Sequence, residues 1–550
     1  MTLFSLTLSL NLIRYSTKTW NKIQMNKKIE FKKNMSTFSL MMTGVTAIVG
    51  SGWLLATQKI SVVAGPAGII SWALGMFVAI LIAFFCIEIG TVNPSAGGVG
   101  FYSSLTHGRF SGFLTQWVNW LSILAVPAVE AQAIVQYLSE KESFHQWYNL
   151  QQHILTPSGV ASAIAFMVLF MGINYWGSKL FTRFNNVLTV IKIVIPILTI
   201  ACLFYSGFDT HNFGRTVTEF APYGWSSVGS AVISCGVVMS FNGFQLPLNF
   251  SEEIKSPKTQ LPIAMIGSIV LAFVLYVGLQ AVFIGSVSAQ HLQNGWHGVN
   301  YRSPYVELLF AANFQILAWG VMSTSAIAPA ACGAAFVASA SRMLYALSRN
   351  GMLPKILGKL DKRYNAPRPA ILVNFVLGSV FLFVFKGWTQ LVEVISVLHI
   401  FSYLSMPVVV MAYRRQQSKQ LVKVDNFRLP FAPFFAVIVI FVLALLLFFA
   451  AWPSIVYMSI LILPGLAFFF YYECKKGDSR QQIISMLKSG SWLLYFLAGI
   501  SLICYLGNNK NHNENLISFS TSMIALVFLS ITSFVYGVFS SSKTPHADLL

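Results

Sequence analysis

VTAIVGSGWLLATQ, Val45 to Gln58, places Gly50-Ser51-Gly52 in the middle of one of the most hydrophobic runs of the chain. A helix that crosses hydrocarbon pairs its own backbone groups. A glycine-rich interruption at mid-depth frees N–H and C=O groups that must then find partners in a protein-lined cavity. Glycine also serves close helix packing in membranes, so a single interruption leaves both readings open. A second one, VVMSFNGFQLPLNF from Val237 to Phe250, lies at the corresponding depth of a later hydrophobic segment, with Gly243 beside Asn242 and Pro247 one turn on. Two interruptions at matched positions, with Ser51 and Ser240 adjacent to them, favour a binding site over packing.

Working outward, the 550 residues are 56% hydrophobic and 10% charged, with a mean hydropathy of +0.67. That places the chain among polytopic membrane proteins. A span takes about 20 apolar residues as helix, and about fourteen such windows can be laid along the chain, at 36–61, 66–90, 110–138, 157–177, 184–206, 225–250, 260–286, 316–346, 367–386, 389–413, 429–449, 452–472, 490–507 and 516–540. The runs are long and unbroken, unlike the alternating ten-residue strands of a barrel, so the fold class is all-α. With the N-terminus cytoplasmic, 29 of the 36 Lys and Arg fall on cytoplasmic segments, 6 on exterior ones and Lys192 within a span. This distribution also puts the C-terminus in the cytoplasm. The net charge of +19 is then accounted for by topology and by anionic lipid, as in RRQQSKQLVK, and needs no nucleic acid.

Each interrupted segment opens a block of five spans. Five is odd, so two such blocks enter the membrane from opposite sides, and residues 36–206 and 225–413 form an inverted repeat. Residues 1–35 are a cytoplasmic tail and 429–540 add about four further helices. The basic, hydroxyl-rich first residues suggest a tail or a start codon upstream of Met25, which leaves open whether residues 1–24 belong to the mature protein. Freed N–H groups at one half-helix suit a carboxylate and freed carbonyls at another suit an ammonium, so the pair of breaks selects a zwitterionic α-amino acid. The six cysteines show no metal-type spacing, and neither disulfide nor metal is expected. GGVGFY is glycine-rich but lacks the lysine and hydroxyl of a phosphate loop, so no nucleotide site is expected. The histidines are scattered, and no catalytic cluster is present that would make the chain an enzyme.

The segments AIVGSGWLLA, AGPAGIISWALG, PSAGGVGFY, SEEIKSPKTQLPIA and YALSRNGMLPKILGKLDKRYNAPRPA occur in order and on the expected sides. Together they resemble the amino acid-polyamine-organocation (APC) superfamily of permeases, with its LeuT-type five-plus-five fold, from about Met35 onward. The GSGWL form and the spans beyond twelve look most like the bacterial aspartate:proton symporters of that group. The resemblance implies that Gly50, Ser51, Gly52 and Trp53 bind the substrate carboxylate. It implies that Ser240, Phe241, Asn242 and Gly243 hold the ammonium through carbonyls, with Phe241 or Phe244 as an aromatic lid. It further implies a proton-coupled import of an acidic amino acid, aspartate or glutamate, with no cofactor, at the plasma membrane. An exchanger, such as glutamate against its decarboxylation product, would need the same zwitterion site, and a transporter-like sensor is the remaining alternative.

Lys192 stands inside a span, at a cost of about 2.5–3.5 kcal/mol. Similar proton-coupled proteins carry a lysine where sodium-coupled ones hold their ion, so Lys192 is a proton carrier, a fixed cation, or a ligand of first-span carbonyls. Glu130, two-thirds along its span, is a proton site, a partner of the substrate ammonium or a salt-bridge holder. Glu88, near a cytoplasmic end where relatives place a gate network, and Glu393, near an outer end, read as structural. His399 reads as a packing residue. One departure stands out: many family members have an acid directly after the GF of the sixth span, whereas this chain has Gln245.

Overall fold

The computed structural model describes residues 33–541 except 34, 96, 140, 177, 362, 365, 421–426, 451, 477–479 and 508–515. The expectations for residues 1–32, for part of the basic run Arg414–Lys423 and for the end of the chain lie outside that range. The fold is helical, and among the described residues extended structure is confined to the two-residue pair Tyr148–Asn149 and Ile154–Leu155, register Tyr148 to Leu155, and two isolated bridges.

The helices that carry the architecture are α1 (Thr37–Ile48), α2 (Gly52–Ala64), α3 (Ile69–Val92), α4 (Gly98–Leu138), α5 (Pro157–Tyr175), α6 (Ser178–Tyr205), α7 (Trp225–Ser234), α8 (Val237–Phe241), α9 (Leu246–Asn249) and α10 (Pro257–Ser286). They continue as α11 (Gln315–Arg349), α12 (Arg368–Val384), α13 (Trp388–Tyr403), α14 (Ser405–Gln420), α15 (Ala432–Phe449), α16 (Trp452–Lys476), α17 (Arg480–Leu506) and α18 (Phe519–Ser540). Their starts follow ordinary capping chemistry. Ser36 accepts from the Ser39 N–H at 3.1 Å, and Thr156, just before Pro157, accepts from the Gly159 N–H at 3.2 Å.

Every one of the fourteen hydropathy windows falls on helix, yet only 11 helical stretches among the described residues are long and apolar enough to cross a membrane by themselves. The windows that fail are informative. Those at 36–61 and 225–250 fail because their helices are broken, and that at 367–386 yields the 17-residue helix α12. The window at 225–250 is interrupted twice, where one interruption was expected. The chain turns at Gly236, in the left-handed region at φ 84°, and again at residues 242–245 with Gly243 at φ 119°. The third window begins at 110 for a physical reason: α4 leaves helical geometry at Gly108 (φ 76°) and doubles back, so that Gly100 packs on Gln116 and Gly112 on Ser104.

Burial sorts these helices into an inner and an outer set. The apolar window of α4 is 100% buried and that of Trp388–Gln417 94%, against 28% for Val187–Tyr205. The latter stretch, part of α6, is thus a wall element. Its outward face carries exposed Val187, Val190, Val194 and Ile197, as lipid contact allows, while Thr189, Lys192 and Thr199 point inward and are fully buried.

Candidate functional site

The break between α1 and α2 leaves the Thr46 and Ala47 carbonyls without backbone partners and that of Ile48 with only the Gly50 N–H at 3.0 Å. Three other helices supply donors. Lys192 on α6 donates to the Thr46 carbonyl at 2.9 Å, Cys332 on α11 donates its thiol to the Ala47 carbonyl at 3.1 Å, and Tyr276 on α10 donates to the Ile48 carbonyl at 2.8 Å. The Val45 carbonyl receives the Val49 N–H at 2.8 Å. Thr46 and Thr189 join their hydroxyls beside the lysine. A charge-assisted hydrogen bond contributes about 1.5–3 kcal/mol, and a cation at a helix C-terminus up to about 2 kcal/mol more. These match the insertion cost of Lys192, so the ammonium is held where it is by the end of α1.

Across the break, α2 starts with the opposite polarity. The Ser51 N–H donates to Glu130 Oε2 at 2.8 Å, while the first-turn N–H groups of Gly52 and Trp53 have no acceptor within a helix that begins there. Glu130 comes from α4 and is fully buried, and its Oε1 accepts no hydrogen bond from the described residues. Gly50 is required by this carboxylate: a Cβ there would stand 2.2 Å from Glu130 Oε1 and 2.9 Å from Cys332 Sγ. Glu130 and Lys192 thus grip the two sides of one break, each through the backbone and not through the other.

The second break lies against the first. A Cβ on Gly52 would reach 2.2 Å from Ser240 Oγ, and one on Gly243 would reach 2.6 Å from the Ala47 Cβ. Tyr276 stitches the two together, since its hydroxyl lies 3.0 Å from the Ser240 carbonyl as well as on that of Ile48. Gln245 holds the turn open: its Oε1 accepts the Gly243 N–H at 3.0 Å and its amide donates to Asn242 Oδ1 at 2.7 Å. The residue that departs from the family pattern is therefore a neutral brace of the break.

The aromatic candidates separate. Phe241 is packed edge-on between Trp72 (6.2 Å, 71°) and Tyr276 (5.7 Å, 78°), whereas Phe244 faces Tyr403 at 5.4 Å. Trp53 is fully buried beside Tyr305, and neither its indole N–H nor the Ser240 hydroxyl has a partner among the described residues. His399 is buried with Nδ1 3.1 Å from the Ile395 carbonyl, as a helix-packing residue would be, and its ring faces Tyr403. Glu393 is half-buried on α13. Glu88 forms a two-pronged ion pair with Arg414 (2.6 and 2.7 Å), and Leu429, entering α15, donates its N–H to the same carboxylate at 2.9 Å.

Sequence reasoning missed Tyr276, Cys332 and Trp388, the last donating to the Ser51 hydroxyl at 3.3 Å. Each is a lone hydrogen-bond donor in an apolar run, a signal that does not distinguish a break-capping donor from packing. Among the described residues no cluster of His, Cys, Asp and Glu is arranged to hold a metal.

Comparison with known proteins places this geometry. A family model described as amino acid permease matches residues 35–463. The glutamate/serine transporter AimA of Bacillus subtilis (strain 168) is 37% identical over 94% of this chain and 95% of its own length. The aspartate-proton symporter of the same organism is 28% identical over 95% and 99%, and its methylthioribose transporter 27% identical over 82% and 95%.

Proposed function

This chain belongs to the amino acid permease family, and from that premise we propose that it imports an acidic amino acid, aspartate or glutamate, together with protons. The observation that carries this reading is the contact of the two breaks, Gly52 on Ser240 and Gly243 on Ala47. It brings the N–H end of one half-helix and the carbonyls of another to one point. The substrate carboxylate takes the N–H groups of Ser51, Gly52 and Trp53, beside Gly50. The ammonium takes the carbonyls of the Ser240–Gly243 turn, where Ser240, Phe241 and Asn242 surround it and Phe244 closes the side facing Tyr403.

Glu130 gives this site a route to proton coupling. Its carboxylate holds the Ser51 N–H, the donor that an incoming carboxylate needs. Two anions do not share that donor in a buried site. A proton on Glu130 turns a charge-assisted hydrogen bond into a weaker neutral one and releases the donor. Substrate and proton then enter together. Lys192, fixed on the Thr46 carbonyl, supplies the positive charge that balances the pair and is the second proton-coupling residue. The relatives named for glutamate and for aspartate with protons support an acidic substrate. On this reading residues 36–206 and 225–413 are inverted repeats, the termini are cytoplasmic and the membrane is the plasma membrane.

The test is uptake by the purified protein in liposomes, with labelled aspartate, glutamate, serine and neutral amino acids under imposed proton or sodium gradients. Acid-driven accumulation of aspartate or glutamate is expected, and Glu130→Gln should bind substrate without responding to pH. Uptake driven only by sodium, or counterflow without net accumulation, would remove proton symport. A Lys192→Ala protein that still coupled uptake to protons would remove Lys192 from the mechanism.

A further inference from the structure

Away from the breaks, the corner where α4 doubles back carries a cavity of about 730 Å³ that the transport reading does not use. Gly108 and Arg109 form one wall, Lys488 and Ser489 in the third turn of α17 a second, and Tyr536 and Ser540 near the end of α18 the third. Arg109 spends Nε and one terminal nitrogen on Glu473 Oε1, at 3.2 and 3.0 Å, and its other terminal nitrogen has no hydrogen-bond partner among the described residues. Lys488 is exposed and makes no ion pair among the described residues. With Glu473 balancing Arg109, the cavity keeps one net positive charge, and its N–H donors are the Lys488 ammonium and the remaining Arg109 nitrogen, since the Ser489 and Ser540 hydroxyls are spent on backbone carbonyls.

The surroundings say what kind of anion fits. The same helix ends expose large apolar side chains: Ile484 on α17, and Val535, Tyr536 and Phe539 on α18. A small soluble anion has no use for such a border, whereas a lipid needs both the cationic pocket and the apolar flank. The helix ends here are those that the Lys and Arg distribution assigns to the cytoplasm, the leaflet face where anionic lipids concentrate. We propose that this cavity binds the phosphate of an anionic phospholipid, with Lys488 and Arg109 on the phosphate oxygens and the acyl chains lying along α17 and α18. The bound lipid fastens the last two helices to the corner at Gly108, which His107 already ties to the Gly537 carbonyl at 2.7 Å.

The full chain in nanodiscs tests this, with phosphatidylglycerol added to a phosphatidylcholine background and thermal unfolding and retained lipid measured together. Phosphatidylglycerol should raise the unfolding midpoint and remain bound through detergent exchange. Lys488→Gln should weaken its retention roughly fivefold, the effect of one surface cation. Lys488→Glu should abolish it, and Lys355→Glu, an exposed cation elsewhere on the cytoplasmic side, should leave it unchanged. Lys488→Gln keeps the test decisive if the charge reversal does not fold. The proposal falls if phosphatidylcholine stabilises as well as phosphatidylglycerol, if Lys488→Gln retains lipid like the parent, if Lys355→Glu loses it equally, or if inorganic phosphate alone reproduces the stabilisation.

Discussion

Replacing Gly52 by Ala adds one methyl at the point where the two broken helices touch. The added carbon would lie 2.2 Å from Ser240 Oγ, 2.9 Å from its Cβ and 3.4 Å from its Cα. Turning the serine hydroxyl away relieves the first clash but not the second, so one half-helix must move. Overpacking of this kind costs about 1–3 kcal/mol. If the transport-competent arrangement bears that cost, uptake falls roughly 5- to 150-fold. The structure also names the remedy. In Gly52→Ala with Ser240→Gly the two nearest serine atoms are gone, and the next nearest atom to the new methyl is the backbone carbon of residue 240 at 3.4 Å, an ordinary van der Waals approach. The carbonyl of residue 240, on which the ammonium is placed, is untouched. Ser240→Gly alone costs at most about 1 kcal/mol of helix propensity. Initial rates of labelled substrate uptake in proteoliposomes, normalised to reconstituted protein, should be strongly reduced in the single variant and largely restored in the double. An alanine variant that transports like the parent, or a folded double variant as poor as the single, would refute the meeting of the two breaks as the functional joint.

Tyr276→Phe removes the donor shared by the Ile48 and Ser240 carbonyls; it should lower stability by about 1–3 kcal/mol, read as an earlier unfolding midpoint, and should slow uptake. Gln245→Glu keeps an acceptor for the Gly243 N–H but faces Asn242 Oδ1 with a donor only when protonated; its pH profile of uptake should tilt towards acid relative to the parent. Glu88→Gln unpairs Arg414 and takes charge from the Leu429 N–H bond. Removing one partner of a buried pair costs about 3–5 kcal/mol. The Glu88 side chain is 5% and that of Arg414 21% exposed, so thermal melting should reveal a loss in the lower part of that range.

Which parts of this arrangement could be read from the chain follows from the reach of each signal. Hydropathy located all fourteen helical regions because a span must be apolar along its whole length. Gly50-Ser51-Gly52 and Asn242-Gly243 announced their breaks because glycine interrupting an apolar run is visible in the run itself, although the reason for Gly50, the Glu130 carboxylate, lies far along the chain and only that for Gly243, a left-handed turn, is local. Lys192 and Glu130 stood out because charge in hydrocarbon needs a reason. The break at Gly236 escaped notice because one glycine among valines has no local signature. Tyr276 and Cys332 escaped because their partners lie 228 and 285 residues away, which no spacing rule reaches. The doubling back at Gly108 was silent too: the window at 110–138 leaves YSSLTH in the connection before it, and nothing in that stretch shows it to be helix folded back until Gly100 is seen lying on Gln116.

The fold-back corner has a consequence for how the chain can be shortened. The family match ends at residue 463, which invites trimming of everything beyond it. Yet the His107 carbonyl accepts from the Ser489 hydroxyl, Arg109 is neutralised by Glu473, and Arg415 is satisfied by the Val538 carbonyl at 3.2 Å. Cutting at the family boundary would therefore strip partners from three residues of the matched portion at one stroke. The terminal helices behave as scaffolding mortised into the transporter body, and a minimal version would need His107, Arg109 and Arg415 redesigned before the cut.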